Sequence, residues 1–211
     1  MEIISLDIVD STQTYLINAI KDEKIQLPIA VIADFQTMGI GSRENSWSAK
    51  RGNLFLSFGL PFGLLPSDLP LVSASLYFGY IMKETLASWE DGIWMKWPND
   101  LYLENYKIGG VITQKIDDNL ICGIGVNLHD TNDGYKGIEI KIAPCEVAKK
   151  FFFNLEFFPT WKQIFRKYQI EFDKNREHFV HIGNYQKSLS SAELCEDGSI
   201  ILDGKKVYGL R

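Results

Sequence analysis

Residues 93–128 alternate short apolar runs with tight turns, and this alternation limits the folds open to the chain. The apolar runs lie at 93–97, 101–103, 111–114 and 120–128. The turns between them are rich in Asn and Asp, which favour turns over regular structure, and the first turn also contains Pro98. Runs of this length joined by such turns indicate neighbouring strands connected as hairpins. We therefore predict an antiparallel β-meander in the middle of the chain.

The flanking sequence predicts further strands and helices around this meander. Two more buried strands are expected at 28–35 and 53–58. The expected helices lie at 12–20, 67–89, 144–157 and 159–174. An Asp-Ser-Thr signal precedes the first helix and Pro144 opens the third, as is typical of helix starts. The predicted fold class is α+β, with a mixed or antiparallel sheet and flanking helices.

The composition of the C-terminal part differs from that of the rest of the chain, which predicts two structural units. Residues 128–142 read as a loop, and the chain becomes rich in Gly, Ser and β-formers after His181. Asp197-Gly198 and Asp203-Gly204 flank a short apolar run and are typical hairpin turns. We predict a main domain at 1–183 and a small C-terminal β module at 184–211.

Composition excludes several classes of protein. The 211 residues carry 22 Lys and Arg against 27 Asp and Glu, a formal charge of −5 that disfavours a nucleic-acid binder. The three cysteines, Cys122, Cys145 and Cys195, are too widely spaced for a zinc site and fit a reducing compartment. The start of the chain lacks a signal peptide, and glycines and prolines interrupt the apolar stretch at 52–82. These features predict a cytoplasmic protein without a membrane span.

A glycine-containing loop at 36–51 is the first candidate binding segment. Gly39 and Gly41 are two residues apart, which lets the backbone approach a ligand closely, and Arg43 adds a charge for a carboxylate or phosphate. The loop lacks the third glycine and following helix of a dinucleotide site. Spacing alone also fits an ordinary surface turn.

The second candidate is the Lys-Trp-Pro-Asn-Asp segment at 96–100, continued by Lys-Ile-Gly-Gly at 107–110. An ammonium group in so apolar a run needs an anion beside it, because burial of an unpaired charge is costly. Two lysines on one hairpin suit a polyphosphate, and Asn99 and Asp100 add an amide and a carboxylate able to bind a metal. The alternative is that Lys96 faces solvent on an edge strand.

The third candidate is Gly-Ile-Gly-Val-Asn at 123–127. In a strand, Gly123 and Gly125 lie on one face and leave a slot that a flat or chain-like ligand would fill. Asn127 ends the slot with a donor and an acceptor, as recognition of an adenine edge requires. A β-bulge or a close strand crossing would explain the same glycines.

Taken in order, these segments resemble the biotin–protein ligase family, biotin–[acetyl-CoA-carboxylase] ligase, within the superfamily shared with lipoate–protein ligases. The resemblance covers residues 1–130 well, and its most specific part is Lys-Trp-Pro-Asn-Asp followed by Lys-x-Gly-Gly. It implies a class II synthetase-like catalytic core and an SH3-like C-terminal module. It also implies that ATP and Mg²⁺ activate biotin as biotinyl-5′-AMP, which a lysine of a biotin carboxyl carrier protein then attacks.

The family pattern assigns roles to individual positions. Biotin would contact Ser11, Thr12, Gln36, Gly39, Ile40, Gly41, Trp47, Lys107, Gly110, Gly123 and Gly125. ATP would contact Arg43, Asn53, Lys96, Asn99, Asp100 and Asn127. By the same resemblance Lys107, Lys96 and Arg43 carry catalysis, Asn99 and Asp100 lie beside Mg²⁺, and the 128–142 loop covers the adenine. No nucleophilic side chain is needed, which agrees with the lack of a hydrolytic triad.

The sequence departs from the family in the glycine loop. Where the family has Gly-Arg-Gly-Arg-x-Gly-Arg, the arginine positions hold Ile40, Ser42 and Asn45, and Glu44 replaces a glycine. This predicts weaker retention of the adenylate, or a shifted backbone in which Arg43 takes over.

Two other functions stay open at this point. A lipoate or octanoate ligase shares the fold and the adenylation step, and a non-catalytic biotin or nucleotide sensor fits the loss of loop arginines. Ser11 lies too close to the start for a preceding DNA-binding domain, so no DNA partner is expected. The chain would act as a monomer or a homodimer.

Overall fold

The computed structural model describes residues 1–42, 45–48, 50–131 and 134–209. Within these ranges the strands are β1 Glu2–Val9, β2 Ile29–Gln36, β3 Gly39–Ile40, β4 Ser46–Trp47, β5 Leu54–Pro61, β6 Ile93–Lys96, β7 Asp100–Leu103, β8 Tyr106–Ile116, β9 Asn119–Val126, β10 Phe179–Ile182, β11 Tyr185–Ser188, β12 Glu193–Leu194, β13 Ile200–Leu202 and β14 Lys205–Val207. The α-helices are α1 Thr12–Lys21, α2 Ala74–Leu86, α3 Pro144–Leu155 and α4 Trp161–Glu171.

Seven strands form the main sheet, in the order β1-β2-β5-β9-β8-β7-β6. The four strands β6 to β9 pair antiparallel with their chain neighbours, which confirms the predicted meander. Among the strand pairs of this sheet in the described residues, β1 and β2 alone run parallel. They can do so because α1 carries the chain back across the sheet between them. The sheet is therefore mixed, as expected. Strand β1 was not predicted.

The four helices form where they were predicted, with one displaced start. Ser11 caps α1 by accepting from the Thr14 N–H at 3.4 Å, and Thr160 and Gln163 form a reciprocal capping box at α4. The second helix was expected to begin near residue 67, but a short 3₁₀ turn at Leu71–Ser73 precedes α2, which begins only at Ala74. Pro70 explains the delay, since a residue before proline avoids the α-helical conformation.

The sheet separates two unequal apolar layers. The larger core packs α2, α3 and α4 on one face, around Phe58, Phe78 and Phe151. The smaller one joins Leu16 of α1 to Val31 of β2 on the other face. Because α1 covers only part of that second face, the strands beside it remain open for a site.

The C-terminal strands pack onto the larger core. Strands β12, β13 and β14 form a three-stranded sheet, and the buried Ile200 and Leu202 belong to the same apolar cluster as the main sheet. The predicted turn at Asp203-Gly204 is present, with positive φ at both residues. The β10–β11 hairpin turns at residues 183–184, and a division of the chain there stays a prediction. None of the helices in the described residues is long and apolar enough to cross a membrane.

Candidate active site

A cavity of about 480 Å³ lies on the face of the sheet that α1 covers in part. The predicted residues that line it are Ser11, Thr12, Gln36, Ile40, Gly41, Trp47, Asn99, Lys107, Gly110, Gly123, Gly125 and Asn127. The fold thus brings together three segments that are far apart in the sequence.

Other predicted residues lie just outside the cavity wall. Asp100 on β7 pairs with Lys107 on β8 and with Lys96 on β6, and Asn53 contacts Asn127. Gly39 allows β4 to pass close by, because a Cβ there would lie 2.7 Å from the Trp47 carbonyl oxygen. Arg43 lies outside the described residues. The role assigned to it therefore stays a prediction.

The start of α1 is tied to β2 and β5 by buried hydrogen bonds. The backbone N–H of Thr12 donates to Oε1 of Gln36 at 2.8 Å, and its hydroxyl lies 3.0 Å from the same oxygen. That hydroxyl also lies 2.8 Å from Oγ of Ser57. Oε1 of Gln36 is contacted by both the N–H and the hydroxyl of Thr12, and these contacts fix the orientation of the Gln36 amide. Nε2 of Gln36 then faces Gly39. The network holds donors and acceptors rigidly at this end of the cavity.

The cavity floor consists of two cross-strand rows in which glycines replace side chains. Ser57, Gly123 and Ile112 form one row across β5, β9 and β8. Gly125 and Gly110 lie opposite each other in the next row. The register is regular here, so these glycines are not at a bulge.

The predicted slot above the glycines is occupied by two side chains. A Cβ at Gly125 would lie 2.6 Å from Cε2 of Trp47, and one at Gly123 would lie 2.8 Å from Oε1 of Gln13. The sequence predicts an empty slot, but in the structure the side chains of Trp47 and Gln13 fill it. A ligand that enters it must displace or bind these two side chains.

Both of those side chains carry a buried polar atom without a partner. Among the described residues, Oε1 of Gln13 and Nε1 of Trp47 have no hydrogen-bond partner. Such a group costs about 1–3 kcal/mol relative to one that is paired. One unpaired acceptor and one unpaired donor thus belong to side chains that line the same cavity, which is typical of a site built for a polar ligand.

Positive charge gathers at the other end of the cavity. Nζ of Lys107 lies 2.6 Å from Oδ1 of Asp100 and 5.9 Å from the centre of a Trp47 ring. Nζ of Lys96 lies 3.7 Å from Oδ2 of Asp100, and the Lys96 side chain is only 12% exposed. Both lysines thus meet at Asp100, and the Lys96 side chain does not face solvent. Their convergence on one reaction centre stays a prediction.

Aromatic rings pack beside Lys96. Nζ of Lys96 lies 5.3 Å above the Tyr102 ring, and the His178 ring packs against both Tyr102 and Trp94. Burial raises the pKa of Tyr102 to about 12, with the Asp100 carboxylate acting in the same direction. Burial lowers the pKa of His178, and the Lys96 charge lowers it further. Both rings are therefore neutral near pH 7.

Asn127 is already engaged within the protein. Its Oδ1 accepts from Nδ2 of Asn53 at 3.3 Å, and its Nδ2 donates to the Lys136 carbonyl at 3.2 Å. The Asn127 carbonyl accepts from the Ile138 N–H, and Oδ1 of Asn53 accepts from the His129 N–H. This asparagine pair anchors both ends of the loop that follows β9. Recognition of adenine by Asn127 stays a prediction and would require these bonds to change.

Several cavity residues were missed from sequence. Gln13, Ser57 and Tyr135 line the cavity without having been predicted to do so. Gln13 directly follows the Ser-Thr motif on α1, and Ser57 is a polar residue inside an otherwise apolar strand. Both signals were available in the sequence. Tyr135 lies in the loop after β9 and carries no such signal.

The fold and the cavity define a ligand-binding domain for a molecule with a polar end, an extended middle and an anionic end. Residues 5–129 match the biotin/lipoate A/B protein ligase family, and the chain belongs to that family. The matched region contains all of the predicted site residues.

Curated proteins are similar to part of the chain. The chain is 34% identical over 130 residues to the bifunctional ligase/repressor BirA of Escherichia coli. That alignment covers 58% of this chain and 39% of the BirA protein, and the chain spans between about a third and two fifths of the length of the curated relatives it matches.

Solved structures match over nearly the whole chain. The biotin acetyl coenzyme A carboxylase synthetase of Helicobacter pylori, with bound biotinylated ATP, is 36% identical, with a TM-score of 0.93. The match covers 98% of this chain and 99% of that one. The biotin protein ligase of Aquifex aeolicus, in complex with biotin and ATP, is 25% identical, with a TM-score of 0.77 over 100% and 96% of the two chains.

Proposed function

We propose that the chain is an ATP-dependent ligase that activates biotin as biotinyl-5′-AMP and transfers it to a lysine of a biotin carboxyl carrier protein. One observation carries this proposal: the cavity combines a buried unpaired acceptor on Gln13, a buried unpaired donor on Trp47, and the Lys107 ammonium. The near full-length match to a synthetase bound to biotinylated ATP supports the same substrates.

The unpaired acceptor favours biotin over a plain acyl chain. The ureido ring of biotin has two N–H donors and a carbonyl acceptor, so it would pair with Oε1 of Gln13 and with the Thr12–Gln36 end of the cavity. A lipoyl or octanoyl group has no N–H donor and would leave Gln13 unpaired, at a cost of about 1–3 kcal/mol. The cavity therefore selects for a ring that donates hydrogen bonds.

The glycine floor and Lys107 suit the first chemical step. The aliphatic tail of biotin would cross Gly123 and Gly125 after Trp47 moves, which brings its carboxylate to Lys107. A carboxylate oxygen then attacks the α-phosphorus of ATP, and pyrophosphate leaves. Because two anions must approach each other, a fixed ammonium between them lowers the barrier.

In the second step a neutral lysine amine of the carrier attacks the acyl carbon, and AMP leaves. The mixed anhydride reacts with water, so it must be shielded until the carrier arrives. The loop that Asn53 and Asn127 anchor is placed to do this, since Tyr135 on that loop already lines the cavity.

Mg²⁺ would enter as the counter-ion of ATP, but Asp100 does not fit a protein-held metal site. Both oxygens of Asp100 face lysine ammonium groups. Nδ2 of Asn99 donates to the Val111 carbonyl at 2.7 Å, which fixes the orientation of this amide. Within the described ranges there is also no cluster of three or more His, Cys, Asp or Glu side chains able to hold a metal. We therefore assign no step to a metal held by these residues.

The proposal is tested by incubating the protein with ATP, Mg²⁺, biotin and a biotin carrier domain. We expect pyrophosphate release that depends on biotin, and a mass increase of one biotinyl group on the carrier lysine. Lys107→Ala should remove both, and Glu146→Gln, which breaks an exposed ion pair on α3, should change neither.

Two outcomes would overturn the proposal. If biotin binds but no carrier is labelled, the chain is a sensor. If octanoate or lipoate is activated as efficiently as biotin, the argument from Gln13 fails.

A further inference from the structure

Asp100 holds the two lysines of the site together. Its Oδ1 lies 2.6 Å from Nζ of Lys107, and its Oδ2 lies 3.7 Å from Nζ of Lys96. The Asp100 side chain is 16% exposed, whereas Lys107 is 37% exposed and reaches the cavity. The Asp100 carboxylate is thus mostly buried beside the two ammonium groups that it pairs with.

A β-bulge creates this arrangement. Leu101 pairs with Gly109, but Tyr102 pairs with Lys107, so the register skips Ile108. The skipped residue turns Lys107 to the cavity face, where Asp100 lies opposite Gly110. A Cβ at Gly110 would lie 3.6 Å from both Oδ1 of Asp100 and Nζ of Lys107, so the ion pair lies directly over this glycine.

The contacts contradict a metal-binding role for Asp100. A cation such as Mg²⁺ prefers carboxylate oxygens that face it freely, with further oxygens completing an octahedron. Here two ammonium groups already face the carboxylate, and they would repel a divalent cation.

Resting on the proposed function, we propose that Asp100 is a positioning residue for Lys107 and not a ligand of Mg²⁺. A free lysine side chain samples many rotamers, and ordering it opposes binding. Asp100 orders the ammonium before the substrates enter, over the glycine where the carboxylate and the α-phosphate would meet. Two ammonium groups and one carboxylate also leave the cluster positively charged, so it still attracts anions.

The test measures lysine reactivity, which does not depend on ligase activity. Intact protein is treated briefly with an acetylating reagent, and labelling of Lys107 is compared by mass spectrometry with that of Lys149, an exposed lysine on α3. We expect Lys107 in Asp100→Asn to label about tenfold faster than in the unmodified protein, because it has lost its anchoring charge. Magnesium chloride alone should leave Lys107 labelling in the unmodified protein unchanged.

Kinetics separate positioning from a structural role. Asp100→Asn should lower kcat for adenylate formation by about 10- to 100-fold, as expected for a misplaced catalytic group. The Mg²⁺ concentration that gives half-maximal rate should not change. Asp100→Glu, which keeps the charge, should restore part of the rate.

Three results would overturn the inference. They are equal Lys107 labelling in Asp100→Asn and the unmodified protein, a rise in Lys107 labelling on addition of Mg²⁺, or a large increase in the Mg²⁺ requirement of Asp100→Asn at unchanged kcat. A protein that makes no biotinyl adenylate would instead refute the proposed function, and the labelling result would still decide the role of Asp100.

Discussion

Gly109 and Gly110 are neighbours in β8, yet a methyl group added at each would meet opposite surroundings. At Gly109 it would lie 2.8 Å from the carbonyl oxygen of Gly125 and 3.0 Å from Cδ1 of Leu101. At Gly110 its nearest neighbours, Asp100 and Lys107 among them, would lie 3.6 Å away, which is ordinary contact. Gly109→Ala must therefore disturb the β8–β9 pairing, whereas Gly110→Ala fits the fold and alters the cavity floor.

These distances set the expected magnitudes. Overpacking of this kind costs about 2 kcal/mol, which for a chain of this size lowers Tm by roughly 4–8 °C. We expect that loss for Gly109→Ala and a change within about 2 °C for Gly110→Ala. The methyl group at 110 would instead occupy the cavity floor beside the Lys107 ammonium and narrow the path past Gly125. We expect it to weaken biotin binding and slow adenylate formation by at least about tenfold.

The two variants are compared by thermal unfolding, by equilibrium dialysis with labelled biotin, and by pyrophosphate release well below either Tm. Gly109→Ala serves as the comparison for stability, because its methyl group would point away from the cavity toward Leu101, and its Tm should fall further than that of Gly110→Ala. The reasoning is refuted if Gly110→Ala binds biotin as tightly as the unmodified protein. It is also refuted if Gly109→Ala has the same Tm as the unmodified protein, because the carbonyl oxygen of Gly125 would then not obstruct the added methyl group.

Three further predictions concern polar groups. Gln13→Met removes the unpaired acceptor, so unfolding of the unliganded protein should cost about 1 kcal/mol more while biotin affinity falls about tenfold, as measured by thermal shift and dialysis. Because His178 has a lowered pKa in the folded state, the unfolded chain takes up its proton first as the pH falls, and stability should decline from pH 7 through 6.5 toward that lower value. His178→Gln should flatten this part of the curve in urea unfolding at pH 7 and pH 5.5. Lys83→Met leaves the Glu171 carboxylate, whose side chain is 12% exposed, without its ammonium partner at 3.2 Å, and should cost about 3 kcal/mol in urea unfolding, partly restored by adding Glu171→Gln.

The central meander was predictable because each of its determinants is local. Turn residues between short apolar runs define hairpins, and hairpins pair strands that follow each other in the chain. Strand β1 was missed because it lies at the sheet edge, where half-exposed residues weaken the apolar pattern. Its partner β2 is also separated from it by a helix, so no turn marks the pairing.

The start of α2 shows a second limit. Most of its residues are buried, so the helix faces apolar neighbours nearly all round and shows little periodicity. Without a polar face, the sequence cannot indicate where the apolar stretch changes from loop to helix. Pro70 is the local signal that would have moved the predicted start closer to Ala74.

Residue types and spacing in the sequence indicate which residues could bind a ligand. Which of them contact each other depends on the register in which the strands pair. Ser57 belongs to the cavity because it lies opposite Gly123 across the β5–β9 pairing. Gln13 belongs to it because α1 crosses the same row. The residues next to Ser57 and Gln13 in the chain do not indicate that either side chain lies beside Gly123.

The position of Lys107 depends on register more strongly than that of any other site residue discussed above, because a β-bulge decides which face of the sheet it occupies. Side chains alternate along a strand, so in a regular strand without the bulge at Ile108 the lysine would share a face with Val111, which is buried in the larger core. An ammonium group in that core would be costly, and the bulge avoids this cost by moving one side chain to the cavity. The same displacement sets Lys107 beside Asp100. A Lys-x-Gly-Gly sequence thus indicates the chemistry of the site, while the bulge alone determines that the lysine is available to perform it.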